Sequence, residues 1–259
     1  MRPAGPAGLS DAALPAGGAS GIVAAPMPEW PDAVLFDFDG VLVHSEPLHY
    51  LAFKAVADKE HLTLTEELYY HELLGYDDRG AVLRLLELNK KPTTPGVVLR
   101  LLAEKQRLAA GMIHDRHFQA LAGVEATVRG LWRNYPLAVC SGAIGTEIEL
   151  MLDAVRLRDC FRVIVSAEDV TVGKPDPQCY LRGVELLARK YHTRINPKNC
   201  LVFEDAPRVI DRLKPLGFFC VGIAGHIPAA RFSGADVVVE SLDPAEIKKK
   251  LPRLQLYEG

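Results

Sequence analysis

Hydrophobic positions recur along the chain with two different periods, and the change from one to the other marks its organisation. Val34-Leu35-Phe36 is an apolar run of strand length that stops at Asp37 and Asp39, two carboxylates two residues apart, followed by Gly40. Strand alternation predicts Asp37 and Asp39 on one side, with Phe36 and Phe38 on the other. After Leu42 the spacing turns helical for about eighty residues. It predicts helices over Pro47–Ala57, Thr65–Leu74, Asp77–Leu88 and Pro95–Ala110, separated by Gly75, Lys90–Thr94 and Gly111, with no strand between them. From Gly123 strands and helices alternate. Helices are expected at Val124–Tyr135, Thr146–Val155, Pro177–Lys190 and Pro244–Leu251, and strands at Leu137–Cys140, Val163–Val165, Cys200–Phe203, Phe219–Gly222 and Ala235–Val239. This pattern predicts an α/β fold: a doubly wound, mostly parallel, Rossmann-like sheet with an all-helical unit inserted after the first strand. The expected boundaries are 1–29 for a leader, 30–44 with 123–259 for the core, and 45–122 for the helical insertion.

Composition refines this picture in a few places. The chain has 259 residues, 49% of them hydrophobic and 24% charged, enough for a sizeable core. A net charge of -3 lacks the basic excess of a nucleic-acid binder, and no apolar run reaches membrane-spanning length. Residues 1–28 are mostly Ala, Gly and Pro with one basic residue, Arg2, so they are expected to be disordered and match neither a secretion signal nor a transit peptide. Met27, just before the first strand, is a candidate true start, which the intact mass of the native protein tests. Cys140, Cys160, Cys179, Cys200 and Cys220 show no C-x-x-C pairing and read as small core residues of a cytoplasmic protein. Lys248, Lys249 and Lys250 suit a solvated helix C-terminus.

Candidate chemistry gathers at strand ends. Two carboxylates as close as Asp37 and Asp39 repel unless a cation lies between them or one is protonated. Ser141-Gly142-Ala143 offers a hydroxyl and free backbone N–H groups to a phosphate oxygen, and Lys174 stands in a turn stiffened by Pro175 and Pro177. Glu204-Asp205 follows a buried strand and supplies the oxygen ligands that Mg²⁺ prefers. Each fragment alone also reads as an ordinary cap, turn or surface group. In one parallel sheet, however, strand ends share an edge, which brings all four together.

The ordered set D-F-D-G-V-L, C-S-G, G-K-P-D-P and V-F-E-D resembles the haloacid dehalogenase-like hydrolases from Val34 onward. The insertion resembles their helical cap, and Ser45-Glu46-Pro47-Leu48-His49 resembles the branch with β-phosphoglucomutase and sugar-phosphate phosphatases. The resemblance implies Mg²⁺-dependent phosphoryl transfer. Asp37 would attack phosphorus to form an aspartyl-phosphate, and Asp39 would serve as acid and base. Ser141 and Gly142 would hold phosphoryl oxygens and Lys174 would balance charge. Mg²⁺ would sit on Asp37, the Asp39 carbonyl, Asp205 and Glu204. Dehalogenation is not expected, because that branch needs no metal and lacks the second aspartate.

Four positions depart from the family pattern: His44, Ala206, the sequence of the Pro207–Leu213 helix, and Pro215, which is expected to end that helix early. His49 is placed to orient Asp39 or a substrate hydroxyl. Arg79, in the cap stretch Gly75-Tyr76-Asp77-Asp78-Arg79, either clamps an anionic group on the substrate or is a plain helix-start arginine. His114 and His117 read as surface. The expected activity is a phosphatase on a small phosphorylated metabolite, without nucleic-acid or membrane partners. Its rivals are a sugar-phosphate mutase with the same residues and a non-catalytic phosphate sensor.

Overall fold

The computed structural model describes residues 30–73, 76–115, 118–225 and 227–257. The leader with Met27, and Gly75 and His117, lie outside the described residues. Six strands form one sheet: β1 (Ala33–Phe36), β4 (Leu137–Cys140), β5 (Val163–Val165), β6 (Cys200–Glu204), β7 (Phe219–Ile223) and β8 (Val237–Val239). Their order is β5-β4-β1-β6-β7-β8, and every neighbouring pair is parallel. The first strand is therefore central, and the chain departs from it to both sides, which opens a crevice beyond its C-terminal end.

Helices cover both faces of the sheet, because alternate residues of each strand point to opposite layers. Val34 and Phe36 pack into one layer with Val139, Leu201 and Phe203. Ala33 and Leu35 pack into the other with Ala138, Val202 and Tyr180. Phe38 joins the layer of Phe36, as strand alternation predicts. The rings of Phe36 and Phe203 stack 5.0 Å apart on adjacent strands.

The core helices are α5 (Val124–Trp132), α6 (Gly145–Ala154), α7 (Gln178–Lys190), α8 (Pro207–Leu213) and α9 (Pro244–Lys250). A 3-10 turn over Lys214–Leu216 follows α8, so that helix stops where Pro215 requires. The last strand begins at Val237 rather than Ala235, since Ala235 and Asp236 instead tie the preceding turn to the Phe232 and Cys220 carbonyls.

The insertion holds α1 (Glu46–Lys59), α2 (Glu66–Leu68), α3 (Asp78–Leu88) and α4 (Pro95–His114), with an apolar core of its own that includes Phe53, Leu73, Leu85 and Leu101. Two expectations need correction here. The helix expected over Thr65–Leu74 is only one turn, followed by a π-type segment over Tyr69–Leu73. That widened turn buries Tyr69, whose hydroxyl donates to Glu46 at 2.6 Å. Gly111 does not end the fourth helix, which runs on to His114 and buries Ile113. A helical glycine costs only about 1 kcal/mol, which the packing offsets. Among the described residues no strand lies between the four helices, and two short antiparallel strands that the sequence pattern did not announce, β2 (Val43–His44) and β3 (Gln119–Ala120), pair where the chain enters and leaves the insertion.

Phe203 is fully buried in both the stack and the sheet. Phe203→Ala is expected to lower the free energy of unfolding by about 3–5 kcal/mol, measured by urea denaturation. A loss below about 1 kcal/mol would place the Phe36–Phe203 stack outside the cooperative core.

Candidate active site

The chain leaves the central strand in a tight loop. The Phe38 carbonyl accepts from Leu42 N–H at 2.8 Å and Val43 N–H at 3.2 Å, and Gly40 N–H donates to Val43. Gly40 has φ +76°, a backbone region that favours glycine. A Cβ there would also lie 2.0 Å from Asp205 Oδ2. The bare backbone at Gly40 is therefore what lets the carboxylate after β6 approach the one after β1.

Sequence-predicted residues meet at this edge. Asp37, Glu204 and Asp205 each present an oxygen within 4.8 Å of the others. Lys174, brought in by the loop after β5, reaches Asp37 Oδ1 at 2.7 Å and Glu204 Oε2 at 2.9 Å. Tyr180 on α7 donates to Glu204 Oε2 at 2.5 Å and accepts from Lys174 at 3.1 Å. The Ala206 N–H donates to Glu204 Oε1, so both oxygens of this fully buried carboxylate are engaged. Ser141, buried at the end of β4, accepts from Ala143 N–H at 2.9 Å, while Gly142 is exposed with open space around its Cα.

Electrostatics follow from this crowding. Burial pushes the Asp37 carboxyl well above the usual range, and the Glu204 charge adds to that against the pull of Lys174. Burial and Glu204 likewise push Asp205 up to about 8. Burial alone would lower the Lys174 ammonium, but Asp37 and Glu204 overcome it and hold that pKa raised. One lysine thus leaves Asp37 and Asp205 short of positive charge. Three hard oxygen ligands with that deficit fit a divalent cation such as Mg²⁺.

Asp39 has different neighbours. Burial would raise its pKa, but the neighbouring His49 and a hydrogen bond from Ser45 lower it on balance. Ser45 Oγ donates to Asp39 Oδ1, and His49 Nε2 stands 3.8 Å from the same oxygen. Behind His49, Lys105 Nζ lies 3.0 Å from Nδ1 and 2.8 Å from Asp78 Oδ2. Asp39 thereby connects the core to the cap through α1, α3 and α4.

The other singled-out residues lie further out. Arg79 is exposed on the first turn of α3, beside Asp78. His114 is exposed at the end of α4, and His44 is half-buried on β2.

Sequence reasoning missed Lys105 and Tyr180. Lys105 carried a readable signal, since it falls on the apolar stripe Val98, Leu101, Ala109 and Ile113, and a lysine on such a stripe must find partners. Tyr180 shares a buried stripe with Gly183, Val184 and Leu187 and gave no comparable sign, because a buried tyrosine is common.

The sequence profile of the haloacid dehalogenase-like hydrolases matches residues 34–222. The chain belongs to this family. It is 26% identical over 228 residues to the chloroplastic 5-amino-6-(5-phospho-D-ribitylamino)uracil phosphatase of Arabidopsis thaliana, covering 86% of this chain and 58% of that protein. The chain therefore spans less than two thirds of that relative's length. It is 29% identical over 189 residues to a phosphorylated carbohydrates phosphatase of Thermotoga maritima, covering 72% of this chain and 82% of the relative. In fold it is similar to the crystal structure of β-phosphoglucomutase from Clostridium difficile, with a TM-score of 0.73 at 23% identity over 86% of this chain and 96% of that one.

Gly40→Ala tests the architecture of the acidic site. It is expected to weaken Mg²⁺ binding, measured by calorimetry, by about tenfold or more while the protein stays folded. Unchanged affinity would show that Asp205 does not need its approach over Gly40.

Proposed function

We propose that the chain is a Mg²⁺-dependent phosphatase acting on a small phosphorylated metabolite through an aspartyl-phosphate on Asp37. The observation that carries this reading is the meeting of Asp37, Lys174 and Asp205 at the end of the central strand, with Asp39 in a separate environment. By these side chains alone Asp37 is held raised and Asp39 lowered, the reverse of what a nucleophile and a general acid need, and a cation held by Asp37, Glu204 and Asp205 would favour the ionised Asp37 that attack requires.

Asp37 would attack phosphorus in line with the leaving oxygen, which breaks its P–O bond and takes a proton from Asp39. A water then gives a proton back to Asp39 and attacks the aspartyl-phosphate, releasing phosphate and restoring Asp37. Ser141 and the exposed backbone at Gly142 would bind the phosphoryl oxygens, and Lys174 would hold the nucleophile in place. Asp37, Asp205, the Asp39 carbonyl and Glu204 would hold the metal, with Glu204 also anchoring Lys174. Bound Mg²⁺ supplies positive charge to the phosphoryl oxygens as they approach a carboxylate. His49, backed by Lys105, would keep the Asp39 carboxyl facing the leaving group.

The names of the relatives support phosphoester substrates. Five free, buried cysteines suit a reducing cytoplasmic setting, and among the described residues no helix is long and apolar enough to cross a membrane.

Phosphate release from a panel of sugar phosphates, phosphoglycolate and nucleotides tests the proposal. Release is expected with Mg²⁺, to vanish with chelator, and to fall by at least about 10³ in Asp37→Asn. Isomerised sugar phosphate without free phosphate would make the protein a mutase. Binding without any turnover would make it a sensor.

A further inference from the structure

Glu147 belongs to none of the motifs described so far. It lies in the first turn of α6, the core helix that follows Ser141-Gly142-Ala143, and α6 packs against α4 of the cap. Its side chain is only 5% exposed. Its Oε1 is the one buried side-chain nitrogen or oxygen among the described residues that has no hydrogen-bond partner. Buried acceptors are nearly always satisfied, so an orphan at this helix junction points to a group that arrives from outside.

The surroundings say where that group lies. Lys105 from α4, His49 from α1, Asp78 from α3 and Asp39 from the core all act electrostatically on the Glu147 carboxyl. Because α6 packs against α4, whose Lys105 contacts the His49 that faces Asp39, Glu147 lies at the core–cap junction next to this network, on the side from which the alcohol part of a phosphoester would reach Asp39. Lys105 is fully buried and already engaged with His49 and Asp78, and His49 faces Asp39. Neither cation makes a hydrogen bond to Glu147. Burial raises the pKa of the Glu147 carboxyl, and in its ionised form Oε1 can only accept, so a substrate group that meets it there is a donor.

We propose that Glu147 is a specificity-determining residue that accepts a hydrogen bond from a hydroxyl on the leaving-group skeleton, so that the site selects polyhydroxylated monophosphates over alkyl phosphates of the same length. The inference rests on the phosphoester reading above, because it places the leaving group beside Asp39. A site that hydrogen-bonds a substrate hydroxyl discriminates strongly against an analogue without it, since the buried acceptor is then left unmet.

The test uses matched pairs: glycerol 3-phosphate against propyl phosphate, erythritol 4-phosphate against butyl phosphate, and sorbitol 6-phosphate against hexyl phosphate. Binding is measured by calorimetry with Mg²⁺ in the full-length Asp37→Asn protein, with and without a second change at Glu147, and turnover is measured in proteins retaining Asp37. At least one hydroxylated ester is expected to be preferred about tenfold or more, a preference that Glu147→Ala abolishes. Glu147→Gln keeps an acceptor in the same shape and is expected to retain most of it. An equal loss across both series would make Glu147 a contact that merely closes the cap, and would overturn the proposal. So would a preference that survives Glu147→Ala, or the absence of any preference. Rapid turnover with no role for Glu147 sinks this inference alone. A hydroxyl preference in binding without phosphate release sinks the hydrolytic reading and leaves this one standing.

Discussion

Four carboxylates, Asp37, Asp39, Glu204 and Asp205, are crowded at the end of the central strand, and the structure around them exists largely to hold them there. Burying an ion costs several kcal/mol even after relaxation, so such a group persists only with good partners on a stiff support. Here the support is a parallel sheet packed on both faces, with the central strand fixed between β4 and β6. The partners are divided unequally. Glu204 receives Lys174, Tyr180 and a backbone N–H, and its pKa is lowered despite burial. Asp37 shares Lys174, and Asp205 has no cation of its own at hydrogen-bond distance among the described residues. The imbalance has a chemical meaning: Glu204 positions the lysine, while Asp37 and Asp205 retain affinity for a further positive charge.

Asp39 escapes this competition because it belongs to a second network. The loop through Gly40 returns the chain toward Val43, and α1 then presents Ser45 and His49 to its carboxyl. Lys105 continues the network into α4 and Asp78 into α3. The pairing of β2 with β3 fixes the two connections of the insertion side by side, so the helices that carry these groups leave the core from a defined base. Asp39, set by cap residues, and Asp37, set by core residues, therefore answer to different neighbours, and their proton affinities shift in opposite directions.

The sequence made the core and its chemical edge readable because both rest on short-range rules. An apolar run ending in Asp37-Phe38-Asp39-Gly40 states its strand, its turn and its charge within nine residues, and the later strands likewise end in polar groups. The cap was less legible. Two-residue strands such as Val43–His44 and Gln119–Ala120 have no period to detect, and a π-type turn at Tyr69–Leu73 keeps the apolar content of a helix while changing its phase. Gly111 misled because a glycine deep in a long helix has only a weak effect against the packing of Ile113. Lys105 and Glu147 were hidden for another reason: each looks like an ordinary charged residue on a helix until tertiary packing buries it. Of the two, only Lys105 stood out against its apolar stripe.

That difference between core and cap also bears on how one scaffold takes different substrates. In the proposed reading the phosphoryl group would meet residues fixed by a parallel sheet, where a shift of the support would disturb three carboxylates and a lysine together. In that reading the alcohol part would meet the junction of α4 with α6, where single side chains on helix surfaces would decide which groups are satisfied. Changing one of those side chains leaves the sheet edge intact, so selectivity at this junction can vary while the phosphoryl chemistry stays the same. In this chain the junction combines a lysine with both of its contacts taken and a glutamate with an oxygen that has none. A cation on the cap side would favour a second anionic group on the substrate. An open acceptor favours a hydroxyl, and its placement beside Asp39 links recognition of the leaving group to the residue that must protonate it.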